Sequence, residues 1–120
     1  MANGREVHRV LGEFPHILSA MSFKMPADDA PASLGSMFED TVARYPDNIM
    51  LLFEGRQWTY AEFNAEVNHL AHLLNVRGVR RGDCVAVLME NRAEFLGSLL
   101  ALAKLGAPAS LINNSLSGSA

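Results

Sequence analysis

The sequence predicts an α/β fold: a partial doubly wound sheet built from a β-hairpin and one βαβ unit, with flanking helices. Three observations carry this. Residues 49–58 hold two short strand-like runs on either side of Glu54-Gly55, a two-residue turn. Residues 84–112 give an apolar run, a helical stretch and a second short apolar run, the order of strand, helix and strand. Amphipathic stretches with steps of three and four residues precede both blocks. A strand–helix–strand unit of this kind implies parallel strands joined by a right-handed crossover.

The bulk properties bound the rest. The chain has 120 residues, enough for one small domain. It is 49% hydrophobic and 19% charged, outside the range of disordered segments. A net charge of −3 and the lack of any basic run argue against nucleic acid as a partner. The single Cys84 excludes an internal disulfide and fits a reducing compartment. No apolar run is long enough to span a bilayer, and Arg5, Glu6, Arg9 and Glu13 interrupt the apolar residues of the N-terminus. These features lead us to expect a cytoplasmic protein, with peripheral membrane contact left open.

Residues 1–23 read as an amphipathic helical segment. Val7, Val10, Leu11, Phe14, Ile17, Leu18 and Met21 fall on one face, and Pro15 should kink or split it. Residues 5–23 could pack on a core, contact a membrane peripherally or bind a partner. Liposome flotation with and without this segment separates the membrane role from the others. Residues 24–32, with Pro26, Asp28, Asp29 and Pro31, have no period and read as a linker.

The main unit is expected over 33–120. Ser33 is a plausible N-cap, and Leu34, Phe38, Val42 and Tyr45 mark one helical face that ends before Pro46. After the hairpin, Thr59 and Glu62 have the spacing of a capping box, and Phe63, Val67, Leu70 and Leu74 mark the buried face that follows. Gly78 fits the position just past that helix, with Val79 for the apolar contact that accompanies it. Cys84 to Met89 is apolar throughout, as in a strand covered on both faces. Asn91 and Glu94 suggest a second capping box, ahead of a wide apolar helix through Phe95, Leu99 and Leu102. Lys104 suits the last turn and Gly106 the stop. Ala109 to Ile112 is the second parallel strand. No helix follows to cover it, so the sheet reads as unfinished.

Several residues tempt a functional reading. Glu90, Asn91 and Arg92 follow one strand, and Asn113, Asn114 and Ser115 the other, where open α/β sheets bind ligands. A helix cap explains Asn91 and polar loops the rest. His69 and His72 have no carboxylate or thiol at a matching position and read as solvated. Cys84 has no nearby base and reads as a core thiol. Glu39-Asp40 belongs to a helix face, Asp28-Asp29 to the linker and Arg80-Arg81 to a solvated turn. No residue is therefore expected to be catalytic, cofactor-binding or metal-binding.

Four ordered stretches resemble a known family: Trp58 to Asn64, Asn68 to Ala71, Gly78-Val79 with Gly82 to Val87, and Leu102 to Ala107. Together they look like the N-terminal part of the adenylate-forming, AMP-binding acyl-CoA synthetase superfamily. Leu88 to Phe95, with Leu111 to Asn113, further resembles the fatty-acid transport protein and very-long-chain acyl-CoA synthetase branch. The resemblance covers about residues 33–118. It implies a share in an ATP-dependent long-chain fatty-acid–CoA ligase, which joins a carboxylate to AMP and then to the thiol of CoA. ATP, magnesium, CoA and fatty acid are the family's ligands. The family's Ser/Thr/Gly-rich phosphate loop, its ribose-holding acid and its C-terminal lysine match nothing in these 120 residues. The segment alone is thus expected to bind no cofactor and to be inactive, and its unfinished sheet is expected to favour self-association. The alternative is a non-catalytic interaction or regulatory module derived from the N-terminus of such an enzyme.

Overall fold

The computed structural model describes residues 32–113 and 115. The expected helical segment 1–23, almost all of the linker 24–32 and Asn114 lie outside the described residues. Within them the order is α1 (Leu34–Arg44), β1 (Ile49–Phe53), β2 (Arg56–Thr59), α2 (Tyr60–Val76), β3 (Val85–Val87), α3 (Ala93–Leu105) and β4 (Ala109–Leu111). β1 and β2 form an antiparallel hairpin, and β3 and β4 form a parallel pair around the crossover helix α3. The α/β architecture expected from the sequence is the one found.

Local chemistry explains most boundaries. Ser33 accepts from the Ser36 amide at 3.1 Å and its own amide donates to the Ser36 hydroxyl at 2.9 Å, which closes a capping box on α1. The helix stops at Arg44, ahead of Pro46. Glu54 and Gly55 both have positive φ, 48° and 78°, the backbone pattern that matches the twist of a two-residue hairpin. At α2 the first three amides all find acceptors. Tyr60 donates to the Asn48 carbonyl, Ala61 to that of Pro46, and Glu62 to the Thr59 hydroxyl. The Glu62 carboxylate accepts from the Thr59 amide in return, at 2.9 Å. At its other end Val79 donates to the Leu74 carbonyl and Gly78 to that of Asn75, the paired bonds of a Schellman stop. α3 ends the same way, with Ala107 donating to Leu102 and Gly106 to Ala103. Gly106 sits at φ 68°, and Arg81 Cγ would lie 3.1 Å from a Cβ there, so both backbone and space favour glycine.

The core has two lobes. Phe38, Trp58, Phe63, Val67, Ala71, Ala93, Leu100 and Ala101 fill the space between the hairpin and the three helices. Val87, Leu102 and Ala107 fill the space between α3 and the parallel pair, and Leu74 and Leu105 touch both lobes. Trp58 and Phe63 meet edge to face, with centroids 6.2 Å apart at 86°. The Trp58 indole N–H donates to Glu66 Oε1 at 3.0 Å, and the Arg56 guanidinium lies 4.3 Å from its ring centroid.

Four expectations need correction. On α1 the buried face runs through Gly35 and Phe38, with Val42 partly covered, while Leu34 and Tyr45 are exposed. Gly35 lies so near the α3 backbone that a Cβ there would stand 3.0 Å from Ala103 and Lys104 backbone atoms, so the face turns toward a residue without a side chain. β3 is shorter than the apolar run that encodes it, and only one of its faces is covered among the described residues. Val87 is buried, whereas Cys84, Ala86 and Leu88 are exposed. Cys84 is therefore not a core thiol: it precedes the strand on the uncovered side. α3 begins at Ala93 with Arg92 at the cap position, so Asn91 does not cap it. Ala93 packs into the first core lobe, and that burial sets the start of the helix one residue later than the polar pattern suggested. Arg92 makes no side-chain cap and instead pairs with Glu94 at 3.4 Å.

Candidate functional site

The β3 strand delivers Glu90, Asn91 and Arg92 at its carboxyl end, and these lead into α3. With Asn91 released from capping, it and Arg92 line an open cavity of about 260 Å³ with Leu51, Phe53, Ala93 and Phe95. A second cavity of about 240 Å³ shares Phe53, Arg92 and Ala93 and extends along Glu54, Arg56, Trp58 and Glu94. The two make one groove between the hairpin and the start of α3. Its floor is apolar and its rim carries both signs of charge. Arg56 is already engaged by Glu66 at 3.1 Å, and Arg92 by Glu94. The groove can hold an apolar group against its floor, but it brings together no nucleophile and base.

At the end of β4, Asn113 Oδ1 accepts from the Ser115 amide at 2.9 Å and from its hydroxyl at 2.6 Å, so this side chain closes its own turn. His69 and His72 are both exposed on α2. No group of three His, Cys, Asp or Glu side chains among the described residues could hold a metal ion. Arg80 is not a free cation. It bonds the Asn75 carbonyl, the Asn75 side chain and the Val79 carbonyl, closing the C-terminus of α2. No helix among the described residues is long and apolar enough to cross a membrane.

The polar centre that sequence reasoning missed is Lys104. Its side chain is 9% exposed, and its ammonium donates to Glu39 at 2.9 Å, Asn64 at 2.7 Å and Asn68 at 2.8 Å. All three ammonium donors are used, with one acceptor on α1 and two on α2. The ring of Phe38 lies 5.6 Å away. A lone lysine in an apolar helix was the available signal, but its partners stand 65, 40 and 36 residues away in sequence.

A parallel pair joined by a crossover helix, with an antiparallel hairpin packed beside it, defines an α/β protein of the kind that places its functional groups on loops at strand ends. Residues 38–120 match the AMP-binding enzyme family. The chain is 38% identical over 106 residues to the medium/long-chain fatty-acid–CoA ligase FadD6 of Mycobacterium tuberculosis, covering 88% of this chain and 18% of that protein. It is 38% identical over 86 residues to long-chain fatty acid transport protein 1 of Bos taurus, covering 70% of this chain and 13% of the relative. Among solved structures it resembles the o-succinylbenzoate-CoA synthetase MenE of Bacillus subtilis bound to AMP, at 32% identity and a TM-score of 0.67, covering 72% of this chain and 22% of that one. It also resembles the N-terminal subdomain of Klebsiella oxytoca NpsA, at 31% identity and a TM-score of 0.68, covering 70% and 22%. The chain belongs to the AMP-binding enzyme family, and it spans less than a quarter of the length of each of these relatives.

Proposed function

We propose that this chain is the N-terminal scaffold layer of a fatty-acid–CoA ligase, one that activates medium- or long-chain acids with ATP and passes them to CoA. The observation that carries the reading is the 38% identity to FadD6 across 88% of this chain. The match to long-chain fatty acid transport protein 1 points to the same acid class. A competing relative is the crotonobetaine/carnitine–CoA ligase of Salmonella typhi, at 38% identity over 91 residues. In this reading residues 33–120 are structural. Ser33, Thr59, Glu62, Arg80 and Asn113 close helices and turns, and ATP, magnesium and CoA are held by other parts of such an enzyme.

The 120-residue chain alone is expected to give no ATP–pyrophosphate exchange with fatty acids. Measurable exchange would remove the scaffold reading. Grafted in place of the matching stretch of FadD6, the chain is expected to support thioester formation better than when grafted onto the crotonobetaine/carnitine ligase. The reverse preference would overturn the fatty-acid assignment.

A second observation bears on the alternative of an interaction module. On the outer side of the parallel pair, Ala86, Leu88, Ser110 and Ile112 are all exposed and carry no charge. Parallel sheets bury both faces, so isolated copies are expected to associate through this side. Sedimentation should show species heavier than the 13.1 kDa chain. A compact monomer at micromolar concentration would count against association.

A further inference from the structure

We propose that Lys104 is a latch that decides whether α1 is docked, making α1 a strap that opens separately from the rest of the domain. The attachment of α1 is thin on its apolar side. It buries only Gly35 and Phe38, with Val42 partly covered, and leaves Leu34 and Met37 exposed. α2 and α3 by contrast bury Phe63, Val67, Ala71, Leu100, Ala101 and Leu102 between them and their neighbours. Segments with few buried apolar contacts open at a lower free energy than the whole molecule. On its polar side, the one side-chain tie from α1 to the other helices among the described residues is Glu39 to Lys104.

The arrangement also makes opening cheap for the charge. When α1 leaves, the ammonium keeps Asn64 and Asn68, both on α2, and exchanges Glu39 for water. No buried charge is stranded, so the usual heavy cost of breaking a buried pair does not hold the strap shut. What holds it is a single charge-assisted bond together with two small apolar seats, Gly35 against the α3 backbone and Phe38 beneath the lysine and beside Tyr60. Lys104 is thus a positioning residue for α1, acting through charge.

Hydrogen exchange on the full chain tests this. Lys104→Met keeps most of the stem volume and removes the charge. Exchange of the α1 amides is expected to rise about tenfold, the scale of a lost hydrogen bond to a charged group. Amides around Phe63, Val67 and Leu102 are expected to stay protected. Glu39→Gln is the milder companion: Glu39 is 61% exposed, so its loss leaves the core intact, and a smaller rise confined to α1 is expected. A rise of equal size in α1, α2 and α3 in both variants would reduce Lys104 to an ordinary part of the global fold and overturn the latch. Unchanged α1 exchange in Glu39→Gln would overturn it as well.

Discussion

Phe63→Ala is expected to lose about 3–5 kcal/mol of stability, the range for removing a buried aromatic ring. Phe63 is 1% exposed and stands where the hairpin, α2 and α3 meet. It presents its ring to Trp58 in an edge-to-face contact and approaches Gly97 of α3, where an added Cβ would lie 3.8 Å from Phe63 Cζ. The neighbours that would have to collapse into the vacated space belong to three different elements, so relaxation is limited and the cavity term stays large. Domains of this size hold only about 5–15 kcal/mol in all. Urea unfolding followed by circular dichroism and by the emission of Trp58, the single tryptophan of the chain, measures the loss. A loss below about 1 kcal/mol would mean that the first core lobe is not packed as described.

The second expectation is a pair of glycine substitutions with opposite signs. Gly35→Ala is expected to destabilise by about 1–3 kcal/mol, and Gly97→Ala to be neutral or to stabilise by up to about 1 kcal/mol. Both glycines lie in helices, where alanine gains in propensity. The difference is space. A Cβ on Gly35 would stand 3.0 Å from the Ala103 carbonyl carbon and oxygen and from Lys104 Cα. These are backbone atoms of α3, so α1 must move away as a body. At Gly97 the nearest atom is the tip of a ring at ordinary contact distance. Overpacking outweighs propensity at the first site, and nothing opposes propensity at the second. The two midpoints in the same urea experiment check it; a Gly35→Ala variant as stable as the parent would show that α1 and α3 are not in close backbone contact.

Legibility in the sequence followed the range of the interaction. The Thr59–Glu62 box, the Glu54-Gly55 turn and the stops at Gly78 and Gly106 involve partners within a few residues, and all were read from spacing alone. The start of α3 departs from the polar pattern because Ala93 answers to the hairpin core, which a capping pattern does not encode. Cys84 lies outside the core although the pattern favours the inside, because an apolar run tells that a strand can be covered, not which of its faces is. The face of α1 departs from the apolar pattern because a glycine gives no hydrophobic signal even where it packs closely. The groove and the Lys104 centre stayed hidden for one reason: each is assembled from elements distant in sequence, as Leu51, Phe53 and Phe95 are in the groove. The candidate site was legible only as strand ends, and its floor required the fold.

The seat of α1 also sets an order of events at birth. The chain is made from its amino end, and α1 is complete before any residue of the helix it rests on exists. Lys104 follows Glu39 by 65 residues, a delay on the order of seconds during ribosomal synthesis. The hairpin and α2 can pair as they emerge, being neighbours in sequence. Phe38 can meet Tyr60 of α2 early, but its seat beneath Lys104 stays open until α3 is nearly finished, leaving part of an apolar side chain accessible to chaperones during that interval. The first element of the described fold to be synthesised is thus among the last to reach its place.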